Sequence, residues 1–160
     1  MSTRQCALLL TAAALALSTA ASGQQPSAKP TVKSAAPPAT QTVTYVKVLG
    51  VDYTFEAPES VPAGIVAFNL VNNGADLHSM AVFELPEKHT LKEFLDQYHA
   101  QGMIPAWMVG LGQTTTIAPK VEAFLTVRMK PGRYILACLI PARDGRMHTE
   151  KGMVKMITVK

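Results

Sequence analysis

From Thr42 onward the chain consists of short runs rich in Val, Ile, Tyr, Phe and Thr, broken every few residues by Gly, Pro or Asn. This texture constrains the fold more than any other feature. β-branched and aromatic side chains crowd a helix but suit a pleated surface. The turn residues end each run before a helix could gain useful length. Strands are expected over 42–49, 52–56, 64–71, 78–85, 113–117, 123–129, 133–139 and 154–159. Val66, Phe68 and Leu70 alternate with Ala67 and Asn69, the period-two pattern of a strand with one buried face. Turn signals such as Asn72-Asn73-Gly74 and Lys130-Pro131-Gly132 separate the runs. The expected class is all-β, a Greek-key two-sheet β-sandwich spanning 42–160.

One segment departs from this texture. Thr90 and Glu93 match a capping box, and Leu91, Phe94, Leu95 and Tyr98 fall on one helical face. A short amphipathic helix is expected over 91–101, ended by Gly102. His99 lies off the apolar stripe and reads as solvated.

The first 41 residues are of another kind. A charged start, the apolar run 7–21 and the small residues Ala21 and Gly23 read as a signal peptide over 1–23. The run is shorter than the ~20 residues that span a bilayer, so no membrane span is expected after cleavage. Residues 24–41, rich in Pro, Ala, Ser and Thr, read as a disordered linker. The mature chain is expected to be periplasmic or secreted, and monomeric. Cleavage removes Arg4 and no acid, leaving 14 cations against 11 acids and a formal charge of +3. Without a Lys/Arg run, that charge gives no footprint for nucleic acid.

The chain has two cysteines, and Cys6 leaves with the signal. Cys138 then has no partner for an internal disulfide, although an oxidising compartment penalises a free thiol. Three readings remain: an inert buried thiol, an intermolecular bridge, or a metal thiolate. Its neighbours favour the last. Cys138, His148 and Met153 lie in one loop between two strands, spaced C-x9-H-x4-M. Thiolate, imidazole and thioether together suit one copper ion passing between Cu(I) and Cu(II). A second imidazole must come from elsewhere in the fold. His78, after the Asn72-Asn73-Gly74 turn, is better placed than His89 or His99.

The stretch N-x-G-x-x-x-H (72–78) and the motif P-G-x-Y-x-x-x-C … H-x-x-x-x-M (131–153) resemble the cupredoxin family, closest to small exported bacterial members. The resemblance implies a type 1 copper site, with His78, Cys138 and His148 as strong ligands and Met153 as the axial one. It also implies one-electron transfer with a redox partner protein. Met147, beside His148, is the alternative axial thioether, and Asp144-Gly145 is expected to fold the long loop back. Arg143 and Arg146 could form a basic collar that steers an acidic partner toward an exposed edge of His148. The other readings are a periplasmic copper carrier or scavenger, and a metal-free binding module. No nucleophile elbow, HExxH motif or phosphate loop is present, so an enzyme is not expected.

Overall fold

The computed structural model describes residues 42–160. The expected signal peptide (1–23) and linker (24–41) lie outside the described residues. The strands are β1 (Val43–Val51), β2 (Thr54–Glu56), β3 (Ser60–Val61), β4 (Gly64–Asn72), β5 (Ala81–Leu85), β6 (Val109–Gln113), β7 (Glu122–Met129), β8 (Gly132–Ala137) and β9 (Val154–Val159). The helix is α1 (Leu91–Gln101). Two mixed sheets form, ordered β2-β1-β4-β7 and β3-β9-β8-β5-β6. β1 runs parallel to β4 and β3 parallel to β9, while the other pairs are antiparallel.

Alternation along the strands builds the core. Val46 and Val48 from β1, Val66, Phe68 and Leu70 from β4, and Ala123 and Val127 from β7 point inward. Val82, Tyr134, Leu136 and Ile157 from the second sheet, with Met80 and Cys138 next to its strands, meet them. The second sheet is apolar on its outer face as well. Ala81, Phe83, Leu85, Ile135 and Ala137 form a second cluster with Phe94 and Tyr98 of α1. A strand covered on both faces loses its alternation, which explains the continuous apolar runs of β5 and β8.

The helix forms as its sequence predicts. Thr90 Oγ1 accepts from the Glu93 N–H at 3.1 Å, and Glu93 Oε2 accepts from the Thr90 N–H at 2.7 Å. Gly102 ends it in the left-handed region at φ 67°, its N–H bonded to Tyr98 O at 2.8 Å. Among the described residues no helix is long and apolar enough to cross a membrane.

Two strand expectations are corrected. The strand expected at 113–117 ends at Gln113 and starts at Val109, ahead of both Gly110 and Gly112. The Thr114 hydroxyl accepts the Met80 N–H at 3.0 Å where a ladder bond would otherwise form. For the same reason β5 begins at Ala81, and His78 joins Ile117 only through an isolated bridge. β3 is too short for periodicity to reveal; it exists because its edge pairs with β9. His99 is exposed, as its place off the apolar stripe implies, and in addition shares a 2.9 Å hydrogen bond with Thr149 Oγ1.

Candidate metal centre

β8 carries its inward side chains Tyr134 and Leu136 on to Cys138, so the thiol enters the top of the core. The Cys138 N–H bonds to Met153 O at 3.1 Å, tying both ends of the following loop together. The loop folds back at Asp144-Gly145. Gly145 adopts φ 82° and its N–H reaches Ala142 O at 2.9 Å, while Asp144 Oδ1 accepts from the Arg146 N–H at 3.1 Å. The returning limb bonds His148 N–H to Ile140 O at 3.0 Å and Met153 N–H to His148 O at 2.9 Å.

His78 arrives from the 72–78 loop. Asn72, fully buried, holds that loop: its Nδ2 donates to Asp76 O at 2.8 Å and Ile117 O at 3.1 Å, and its Oδ1 accepts from the Gly74 N–H at 2.9 Å. The His78 backbone then bonds both ways with Ile117, at 3.1 and 2.8 Å.

These supports bring three donors together. His78 Nδ1 lies 3.2 Å from His148 Nδ1, and Cys138 Sγ lies 3.3 Å from His148 Nδ1. All three residues are buried, and one ligand atom from each lies within 4.8 Å of the others. Ser79 adds its N–H, 3.4 Å from Sγ. Met153 is fully buried in the same cluster as Cys138. A Cβ built on Gly50 would lie 3.4 Å from both Met153 Cε and His78 Cδ2, so the thioether end sits beside His78. Met147 packs elsewhere, in the cluster under α1.

Burial governs the protonation of the set. Desolvation pushes the Cys138 thiol up, opposed by the Ser79 N–H. Desolvation holds His78 below its ordinary range, opposed by Asp52; His148 is lowered by desolvation and then by His78. Two neutral imidazoles therefore face one thiol in a site closed to water. The Nε2 atoms of His78 and His148 have no hydrogen-bond partner, but the nitrogens that converge with Cys138 Sγ are the Nδ1 atoms. A soft thiolate with two imidazoles fits a borderline-soft transition ion better than calcium or magnesium.

Several contributors carry no sequence signal. Asp52 Oδ1 stands 3.5 Å from His78 Nε2, beyond hydrogen-bond geometry but within ion-pair range, and accepts from the Ala75 N–H at 2.8 Å. Tyr53 sets its ring edge-on to His148, at 5.0 Å and 76°. Its hydroxyl donates to Asp76 Oδ2 at 2.7 Å, and the other Asp76 oxygen meets Arg143 Nε at 2.9 Å. These contacts join residues about twenty positions or more apart, and only the folded loops reveal them. The expected exposed edge of His148 gives way: the ring is 1 % exposed. It forms part of a cleft of about 170 Å³ with Asp76, Leu77, Pro141, Ala142 and Arg143.

No protein-family model and no curated protein sequence matches the chain. Solved structures do. Reduced auracyanin from Roseiflexus castenholzii superposes with a TM-score of 0.54 at 20% identity, covering 73% of this chain and 97% of that one. Auracyanin A from Chloroflexus aurantiacus, described as a "blue" copper protein, gives 0.53 at 16% identity over 74% of this chain and 100% of that one. Rusticyanin from Thiobacillus ferrooxidans gives 0.51 at 19% identity over 76% and 79%. Likeness at these identities shows the fold, a cupredoxin-like β-sandwich with one short helix.

Proposed function

We propose that this cupredoxin-like chain binds one copper ion through His78, Cys138, His148 and Met153 and serves as an exported, monomeric one-electron carrier. The observation that carries this reading is the convergence of Cys138 Sγ with the Nδ1 atoms of His78 and His148 on a hydrogen-bonded frame. When bound, copper supplies a couple that gains and loses a single electron. Everything else is the work of the chain. Cys138 keeps its proton until a cation displaces it, because burial opposes a bare thiolate. His78 and His148, held neutral, each direct a lone pair inward. Met153 offers a weak fourth donor from the loop end, where Cys138 N–H and His148 O fix its backbone.

That frame favours a carrier of electrons over a carrier of copper. Delivery of an ion needs ligands that can reach a recipient, whereas His78, Cys138 and His148 are all at most 1 % exposed. Backbone bonds at both ends of the loop limit rearrangement when the charge at the site changes. Exchange with a redox partner protein would take place over the cleft beside His148, where Leu77 is 53 % exposed. Arg143 is spent on Asp76 and Lys151 on Asp144, so Arg146 is the loop cation left to attract an acidic partner.

The test is spectroscopic. The purified mature chain is mixed with Cu(II) and its visible spectrum recorded. An intense thiolate-to-copper charge-transfer band is expected, and Cys138→Ser should abolish it. Tight Cu(I) binding without that band would favour the copper-carrier reading, and no copper binding would leave a metal-free binding module.

A further inference from the structure

We infer that helix α1 acts as a brace for His148, with His99 and Met147 as positioning residues on either side of that imidazole. The inference rests on the proposed ligand role of His148 and assigns the helix a part in the site. Three observations carry it. His99 Nε2, in the last turn of α1, lies 2.9 Å from the hydroxyl of Thr149, the residue after His148. Met147, the residue before His148, packs into the cluster that holds Phe94 and Tyr98 of the same helix. One chain neighbour of His148 is therefore bonded to the helix and the other packs against the cluster the helix helps to form, and the helix has both ends capped.

The loop alone would hold His148 less firmly. Its remaining backbone bonds around this point are largely local: Glu150 N–H and Lys151 N–H to Met147 O at 3.0 and 3.3 Å, and Gly152 N–H to Thr149 O at 3.1 Å. Such a turn can tilt as a unit about the His148–Ile140 and Met153–His148 bonds. The His99–Thr149 bond and the Met147 contact oppose that tilt from outside the loop. Buried Tyr98, stacked on Phe94 with centroids 5.8 Å apart, fixes the end of the helix from which His99 projects. A half-buried thioether and an exposed imidazole thus share one task, and neither needs to touch a metal.

Two measurements on the full mature chain test the brace. The first is amide hydrogen exchange of the metal-free protein. His99→Ala and Thr149→Val should each speed exchange at Gly152, Met153 and Cys138 by about fivefold, the effect of losing one modest hydrogen bond. Exchange in β4 should not change. His99→Gln, which keeps a nitrogen within reach of Thr149, should restore most of the protection. The second is the spectrum of the Cu(II)-loaded protein: His99→Ala should shift its charge-transfer band and His99→Gln should return it toward the parent. Unchanged loop exchange in both His99→Ala and Thr149→Val would overturn the brace, whatever copper does. If the parent chain takes up no copper but loop exchange responds as expected, the copper reading fails and the brace stands as a property of the loop.

Discussion

Asp52 Oδ1 and His78 Nε2 lie 3.5 Å apart, so a carboxylate stands behind the imidazole whose other nitrogen faces Cys138 and His148. A carboxylate in that position fixes ring orientation and raises the donor strength of the opposite nitrogen. Asp52→Leu should weaken copper binding by about 10- to 100-fold, as losses of such outer partners do. Competition with a chelator of known affinity measures it, and an unchanged constant would show that His78 is held by its backbone alone.

Gly74 guards the same pair. A Cβ at this position would lie 2.6 Å from His78 Nε2 and even closer to Asp52 Oδ1. The obstacle is contact with neighbours that both matter to the site. Gly74→Ala should therefore lower thermal stability by about 1–3 kcal/mol, the usual cost of overpacking, and weaken copper binding as Asp52→Leu does. Loss of stability with copper affinity intact would mean the loop moves away as a body.

The two methionines of the loop should behave differently. Met153 shares the Cys138 cluster and lies with His78 beside Gly50, whereas Met147 packs against the cluster that includes α1. Met153→Leu should alter the electron paramagnetic resonance signature of the Cu(II) protein. Met147→Leu should leave that signature in place and cost less than about 1.5 kcal/mol, as volume-conserving swaps do. The reverse result would make Met147 the thioether donor.

How far the sequence reveals this site follows from the range of each interaction. The strand texture, the helix caps and the C-x9-H-x4-M loop are local or nearly so, and they are legible in 138–153 and 90–102. His78 was reachable through its turn signal, since Asn72 and Gly74 make a tight loop whatever lies beyond. Asp52, Tyr53 and Ser79 were not, because each acts on a residue distant in the chain. The Thr149 contact of His99 is hidden for the same reason. Helical periodicity correctly places it off the apolar stripe and exposed, and does not show the hydrogen-bond partner fifty residues later.

The metal-free protein should be most stable near neutral pH. His78 and His148 titrate below their ordinary 6.5 when folded, so the unfolded chain binds more protons as the pH falls past that value. Stability is then lost from about pH 6.5 downward. Cys138 is shifted the opposite way, upward by burial, so the folded chain retains a proton that the unfolded one releases. Stability is lost again as the pH climbs beyond about 8.5. Melting temperatures from pH 5 to 9.5 should trace a dome, and Cys138→Ala should flatten its alkaline side (about pH 8.5 upward). An unaltered alkaline limb in that variant would assign the loss to another group.

Tyr53 separates backbone strain from side-chain cover at the site. Its φ of 66° lies in the left-handed region, which a side chain with a Cβ occupies at a cost of about 1–2 kcal/mol. The aromatic ring offsets that cost by packing edge-on to His148 and bonding to Asp76, with the Lys151 ammonium 4.5 Å from its centroid. Removing the ring while keeping the Cβ leaves the strain without its compensation. Removing both leaves neither. Tyr53→Gly should therefore be more stable than Tyr53→Ala by about 1 kcal/mol, although glycine ordinarily loses more entropy on folding. Both variants should open His148 to water, seen as faster reaction of its imidazole with diethyl pyrocarbonate in the metal-free protein. If alanine proves the more stable, the 51–54 turn relaxes out of the left-handed region once the ring is gone. Tyr53 would then be held there by its contacts with His148 and Asp76.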